Sequence, residues 1–131
     1  MKDSEYGLRK ELPGTSFADA VEQVTAALKG EGFGVLTTID VKATMKEKID
    51  VDFKPYVILG ACNPQLAHQA LSQDDTIGLL LPCNVVVAET DAGAEVAIAK
   101  PTATLSIAGE EALGSFADEA EARLSRALDQ L

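Results

Sequence analysis

Two short elements hold the residues best equipped for chemistry: Ala61-Cys62-Asn63-Pro64 and Leu81-Pro82-Cys83-Asn84. A thiol acts as a nucleophile, redox couple or soft metal ligand through its thiolate. Asn63-Pro64 is a helix-start signature, because the Asn side chain caps free N–H groups and Pro fits the first helical position. Cys62 then sits just before a helix N-terminus, where the backbone dipole lowers a thiol pKa. If the strand carrying Cys83 lies beside the one ending at Cys62, both Cys-Asn pairs converge at one end of a sheet. The competing account is the common fate of a free Cys, a small buried side chain chosen for packing.

The ligand-binding candidates are therefore Cys62, Asn63, Cys83 and Asn84. Asn63 has an ample role as a cap. Asn84 is the odder of the two, since Asn is depleted in strands; it marks a bulge or lines a pocket. A metal site needs three or four ligands, and the only further soft donor is the single His68, which gives Cys62, Cys83 and His68 as the candidate set. The polar side of its helix is where His68 falls, so an exposed imidazole is the competing account. There is no glycine-rich phosphate loop, no His-Glu-x-x-His and no Gly-x-Ser-x-Gly, so these motifs name neither a catalytic residue nor a cofactor.

The elements that position these residues follow from periodicity and caps. Tyr6–Leu12 reads as a strand closed by Pro13-Gly14. Ser16 reads as a cap for a helix whose apolar stripe is Phe17, Val21, Val24 and Leu28, with Gly30 and Gly32 releasing the chain into a strand over Phe33–Ile39. Asp40 caps a short helix with Val41, Met45 and Ile49 on one side. Tyr56–Cys62 is a buried strand, and the helix after it turns Leu66, Ala67, Ala70 and Leu71 inwards. Thr76–Leu81 and Cys83–Ala88 read as two strand segments joined across Pro82, with Asp91-Ala92-Gly93 turning the chain into a return strand over Glu95–Ala99. Ser115 reads as the cap of a final helix with Phe116, Ala120, Leu124, Ala127, Leu128 and Leu131 inwards. The tetrapeptide Ser-Phe-Ala-Asp occurs at both 16–19 and 115–118, which shared capping chemistry explains more simply than duplication.

Composition narrows the function classes. The 131 residues suit one domain, residues 1–131, and 47% hydrophobic residues suffice for a real core. A net charge of −10 opposes nucleic-acid binding, which depends on Lys and Arg, and opposes anionic membranes for the same reason. With no Trp and 5% aromatic residues, base stacking has little to work with. Lys42, Lys46, Lys48 and Lys54 form the one basic cluster, but Glu47, Asp50 and Asp52 interleave with it, so a solvated ion-paired face is expected. Two Cys and no apolar leader at the N-terminus point to the reducing cytoplasm.

The run Tyr56–Pro64, then Ala67-His68 and Ala70-Leu71, then Ile77–Val87 resembles the bacterial family known as domain of unknown function 302. The paired Ala-Cys-Asn-Pro and Leu-Pro-Cys-Asn elements carry the resemblance. Gly32–Leu36 before Ile39-Asp40, and a last helix bearing Glu121 and Leu124, extend it over most of the chain. The chain departs from the family pattern at Lys100-Pro101, where an acidic residue before Pro is common. The resemblance implies an α+β fold, a curved antiparallel sheet with helices packed on it, of the TATA-box-binding-protein-like type. It implies no activity.

Three readings follow, in order. The first is a non-catalytic module that binds a small molecule or a protein through its sheet concavity or an exposed edge, expected to be a homodimer because its sheet has edges to protect. The second is a thiol-based redox or metal-binding protein centred on the two Cys-Asn elements. The third is an enzyme of unknown reaction.

Overall fold

Three consecutive valines, Val85-Val86-Val87, and the apolar run Tyr56–Cys62 are too short for buried helices and rich in residues that suit a pleated surface. In a computed structural model of the chain they form the middle of an antiparallel sheet. The structure describes residues 1–131, with the side chains of residues 110–113 excepted. The strands are β1 (Gly7–Pro13), β2 (Gly34–Asp40), β3 (Tyr56–Cys62), β4 (Cys83–Thr90) and β5 (Gly93–Ala99), in the order β1-β5-β4-β3-β2. The helices are α1 (Phe17–Gly30), α2 (Val41–Ile49), α3 (Pro64–Gln73), the single turn α4 (Pro101–Thr104) and α5 (Glu110–Asp129). The fold is α+β.

Register fixes which side chains share a face. Leu8, Ile98, Val85 and Leu59 lie opposite one another across four strands, as do Lys10, Val96, Val87 and Val57. The apolar members of these rows meet Ala20, Val24, Ala27 and Leu28 of α1 and Ala120, Leu124, Ala127 and Leu128 of α5. Each fully buried Val or Leu contributes roughly 1.5–3 kcal/mol, so this two-layer contact dominates the stability. Lys10, the charged member of its row, lays its stem along the layer and donates from Nζ to the Leu128 carbonyl at 3.3 Å, near the C-terminus of α5.

The caps act as the sequence suggests at three places. Ser16 Oγ accepts from the Asp19 N–H, an Asp40 carboxylate oxygen from the Ala43 N–H, and Asn63 Oδ1 from the Leu66 N–H. Around α2, Lys46 pairs with Asp50 at 3.0 Å and Asp52 at 3.3 Å, which neutralises part of the basic cluster.

Four expectations need correcting. Thr76–Leu81 is no strand, because Asp75–Leu80 forms a 3-10 helix. Asp74 starts it by accepting from both the N–H and the hydroxyl of Thr76, and the threefold period then buries Ile77 and half-buries Leu80 while Leu79 stays 87% exposed. Pro82 accordingly precedes β4 and interrupts no strand. Ser115 is no cap, because α5 begins at Glu110 with Gly109 before it; the Ser-Phe-Ala-Asp echo therefore does not reflect shared capping. Leu71 and Ile49, both expected inwards, are exposed, since only Ala70 of α3 and no residue of α2 is fully buried. The segment Thr102–Leu113, which carries no clear pattern in the sequence, holds most of α4, a 3-10 turn over Ser106–Ala108 and the start of α5.

Gly60 is where the sheet is tightest. A Cβ there would collide with the Thr37 hydroxyl on β2 and stand 2.9 Å from the Pro82 ring. Gly60→Ala is expected to destabilise the protein by about 1–3 kcal/mol through overpacking. Adding Thr37→Ala should recover part of that loss, read as a coupling in urea-unfolding free energies.

Candidate functional site

The end of β3 and the start of β4 bring three of the four candidate residues together. Ala61 pairs with Cys83 in the ladder, which sets Cys62 and Cys83 at the same end of neighbouring strands. Cys62, Asn63 and Cys83 line one cavity with Phe33, Leu66 and Phe116. Both thiols are free. Asn63 is buried and spends its carbonyl on capping α3, while its amide group packs into the space that Gly32 leaves: a Cβ there would stand 2.8 Å from Nδ2. Gly32 also holds φ +83, a conformation glycine tolerates without strain.

The chemistry of this cavity is restrained by its size and its largely apolar lining. It encloses about 40 Å³, room for a few waters and far below the several hundred Å³ of a small-molecule site. Burial pushes the Cys62 thiol up. Burial, with the neighbouring Cys62 second, pushes Cys83 up to about 11. Desolvation therefore outweighs the helix N-terminus at Cys62, the opposite of the direction the sequence suggested. His68 is exposed and is not among the residues lining this cavity. Among the described residues no group of three or more His, Cys, Asp or Glu side chains is placed to hold a metal ion.

Asn84, the fourth candidate, points elsewhere, because one step along a strand reverses the side chain. It lies on the face of the sheet turned away from α1 and α5, in a groove of about 580 Å³ shared with Tyr6, Arg9, Tyr56, Val86 and Ala97. Ladder partners give this face one continuous row: Ile39, Ile58, Val86, Ala97 and Arg9, one residue from each strand. The next row is Thr37, Gly60 and Asn84; the Thr37 hydroxyl and the Pro82 ring fill the space over Gly60, and of the three only Asn84 lines the groove. Glu95 lies on this face as well, yet it is only 2% exposed. Arg9 Nη1 donates to it at 3.2 Å and the Met1 amine pairs with its other oxygen. Hydrogen bonds to Asp3 and Glu11, with a smaller share from Glu95, hold Arg9 firmly in its charged form. Burial raises the Tyr56 pKa, helped by the charge of Glu95.

Sequence reasoning offered the concave surface of the sheet as a working face but named no residue of it apart from Asn84. The signal was present: Val85-Val86-Val87 does not alternate, and a strand with apolar residues on both sides asks for a cover on both.

The thiols carry a pH signature. With its pKa raised, Cys83 should alkylate with iodoacetamide near neutral pH at least about a hundred-fold slower than a free cysteine, because the thiolate is the nucleophile. The neutral thiol favours the folded state fully below the unfolded thiol pKa of about 8.5, and that contribution is lost as pH rises towards 11. Urea midpoints should fall over that window, and Cys83→Ala should flatten the fall.

Comparison with known proteins places this arrangement. The chain is 33% identical to an uncharacterized conserved protein, DUF302, from Bacillus stearothermophilus, whose crystal structure superposes with a TM-score of 0.87 over 97% of this chain and 98% of that one. No curated protein matches the chain. The family model described as domain of unknown function DUF302 matches residues 8–131. That span takes in all of β1 but its first residue, the other four strands, both Cys-Asn elements and the final helix, and the chain belongs to the DUF302 family.

Proposed function

We propose that the protein is a non-catalytic binding module, one domain over residues 1–131, whose working surface is the face of the sheet opposite α1 and α5. One observation carries this: that face combines a continuous apolar row with a groove of about 580 Å³, within the usual range for ligand sites. Its lining is apolar at Val86 and Ala97, and its polar groups are the Asn84 amide, the Tyr6 and Tyr56 phenols, the Ser4 and Thr104 hydroxyls, Lys2 and the paired Arg9. That mixture suits an uncharged or weakly polar ring-bearing ligand, since aromatic side chains offer flat apolar area with a polar tip.

The cavity at Cys62 and Cys83 supports the thiol reading less well. Two protonated thiols in about 40 Å³ are poor nucleophiles with no room for a substrate beside them. We assign them to packing. Among the described residues no helix is long and apolar enough to cross a membrane. A cytoplasmic location agrees with two free thiols.

A panel of uncharged aromatic fragments, titrated into isotopically labelled protein, tests the reading. The amide resonances of Tyr56, Asn84, Val86 and Ala97 are expected to shift together. Fragments that perturb only Cys62, Asn63 and Cys83, or none that perturb the sheet face, would overturn it.

A further inference from the structure

We infer that residues 1–4 form a clasp over the groove of the sheet face, latched by two crossed ion pairs to Glu95 and Arg9, and that a bound ring compound is held between clasp and sheet; this rests on the reading of that groove as the ligand site. Three observations lead there. The first is placement. The chain turns at Glu5-Tyr6, just before β1. Met1, Lys2 and Ser4 then line the same groove as Tyr56, Asn84, Val86 and Ala97. About 580 Å³ stays open with these residues in place, so the segment walls the groove and does not plug it. The Tyr6 carbonyl accepts from the Lys100 N–H at 2.8 Å, which ties down the root of the segment. Gly7 follows, and a Cβ there would stand 3.2 Å from the Ser4 hydroxyl oxygen, so the missing side chain lets the segment lie close.

The second observation is charge. Arg9 lies opposite Ala97 and Glu95 lies opposite Glu11, which makes Arg9 and Glu95 diagonal neighbours on adjacent strands. The sheet therefore presents a cation and a carboxylate side by side. The segment brings the opposite charges in matching positions: the Met1 amine pairs with Glu95, and the Asp3 carboxylate accepts from Arg9 Nε at 3.0 Å. Arg9 Nη1 reaches Glu95 at 3.2 Å and closes the set. Glu95 is only 2% exposed, and a buried carboxylate that loses a cationic partner is costly, which favours the closed clasp.

The third observation is how little else holds the segment. Met1, Lys2, Asp3 and Glu5 are exposed, so the latches and not apolar burial keep it in place. A segment held by a few polar contacts opens at low cost. Opening admits a ligand. Closing sets the flexible Met1 side chain, which adapts to irregular shapes, against it and slows its escape.

The full chain carrying Asp3→Asn and acetylated at the Met1 amine loses both latches and tests the clasp, with acrylamide and phenol as probes. In the unmodified protein the amides of Lys2, Asp3, Ser4 and Glu5 should show heteronuclear NOE values close to those of β1. Unlatching should lower them, leave the β1 values unchanged, and raise acrylamide quenching of the groove tyrosines at least about twofold. Phenol should leave the unlatched groove at least about tenfold faster, read from resonance line shapes at Asn84 and Val86, and bind more weakly. Circular dichroism checks folding; if the doubly altered chain does not fold, Asp3→Asn alone replaces it, with smaller changes in the same directions. Mobile amides in the unmodified protein overturn the inference, as do unchanged order and quenching after unlatching. Tighter phenol binding after unlatching overturns it too, because the segment would then compete with the ligand. If phenol shifts no sheet-face resonance in either protein, that counts against the binding-module reading, and order and quenching alone decide the clasp.

Discussion

The structure depends on one asymmetry: a sheet with apolar residues on both faces meets helices on only one of them. Val85, Val87, Val96, Ile98, Leu59 and Leu124 are essentially withdrawn from water where α1 and α5 press on the strands. The alternating side chains between them, Ile58, Val86 and Ala97, make the same kind of row on the other side without that cover. Hydrophobic burial is non-directional and scales with area, so the first face holds the fold together while the second keeps apolar side chains only partly buried. Large exposed apolar surface on an otherwise charged chain marks an interaction site.

The same asymmetry separates the two Cys-Asn elements. Cys83 points into the helical layer, beside Cys62 and the Asn63 cap, and its neighbour Asn84 points into the groove. One strand step moves a residue from a small, largely apolar cavity to a surface. The helix N-terminus at Asn63 does not make Cys62 reactive, because α3 is packed onto Phe33, Phe116 and Ala120 around the thiol and desolvation dominates. Glu95 shows the converse arrangement. Its burial on the opposite face is tolerable because Arg9 and the amino terminus hold its two oxygens.

Much of this was legible in the sequence, for physical reasons. Local signals fixed β3, α3, the β4–β5 turn and the caps at Ser16, Asp40 and Asn63, since each depends on neighbours within a few residues. The DUF302 resemblance carried the fold class. Ile77-Gly78-Leu79-Leu80 misled because a short apolar run has no period long enough to separate strand from 3-10 helix, and only the Asp74 hydrogen bonds decide it. Ser115 misled because the same Ser-Phe-Ala-Asp tetrapeptide starts one helix and lies inside another. The groove and the apolar row that runs into it were hidden for a different reason: they exist only through register, which aligns Ile39, Ile58, Val86 and Ala97 from four separate strands. The Glu95 pairing likewise joins residues far apart in sequence.

The chain supplies its own reporter for the sheet face. Its only two tyrosines, Tyr6 and Tyr56, both line the groove, and with no Trp present the intrinsic emission comes from them. Acrylamide quenching of that emission, followed while a weakly polar ring compound that does not absorb the exciting light is titrated in, tests the central claim most directly. If the compound fills the groove, quenching should fall and level off as the site saturates. Quenching that stays constant while the compound binds would contradict the account, because binding would then involve some other surface.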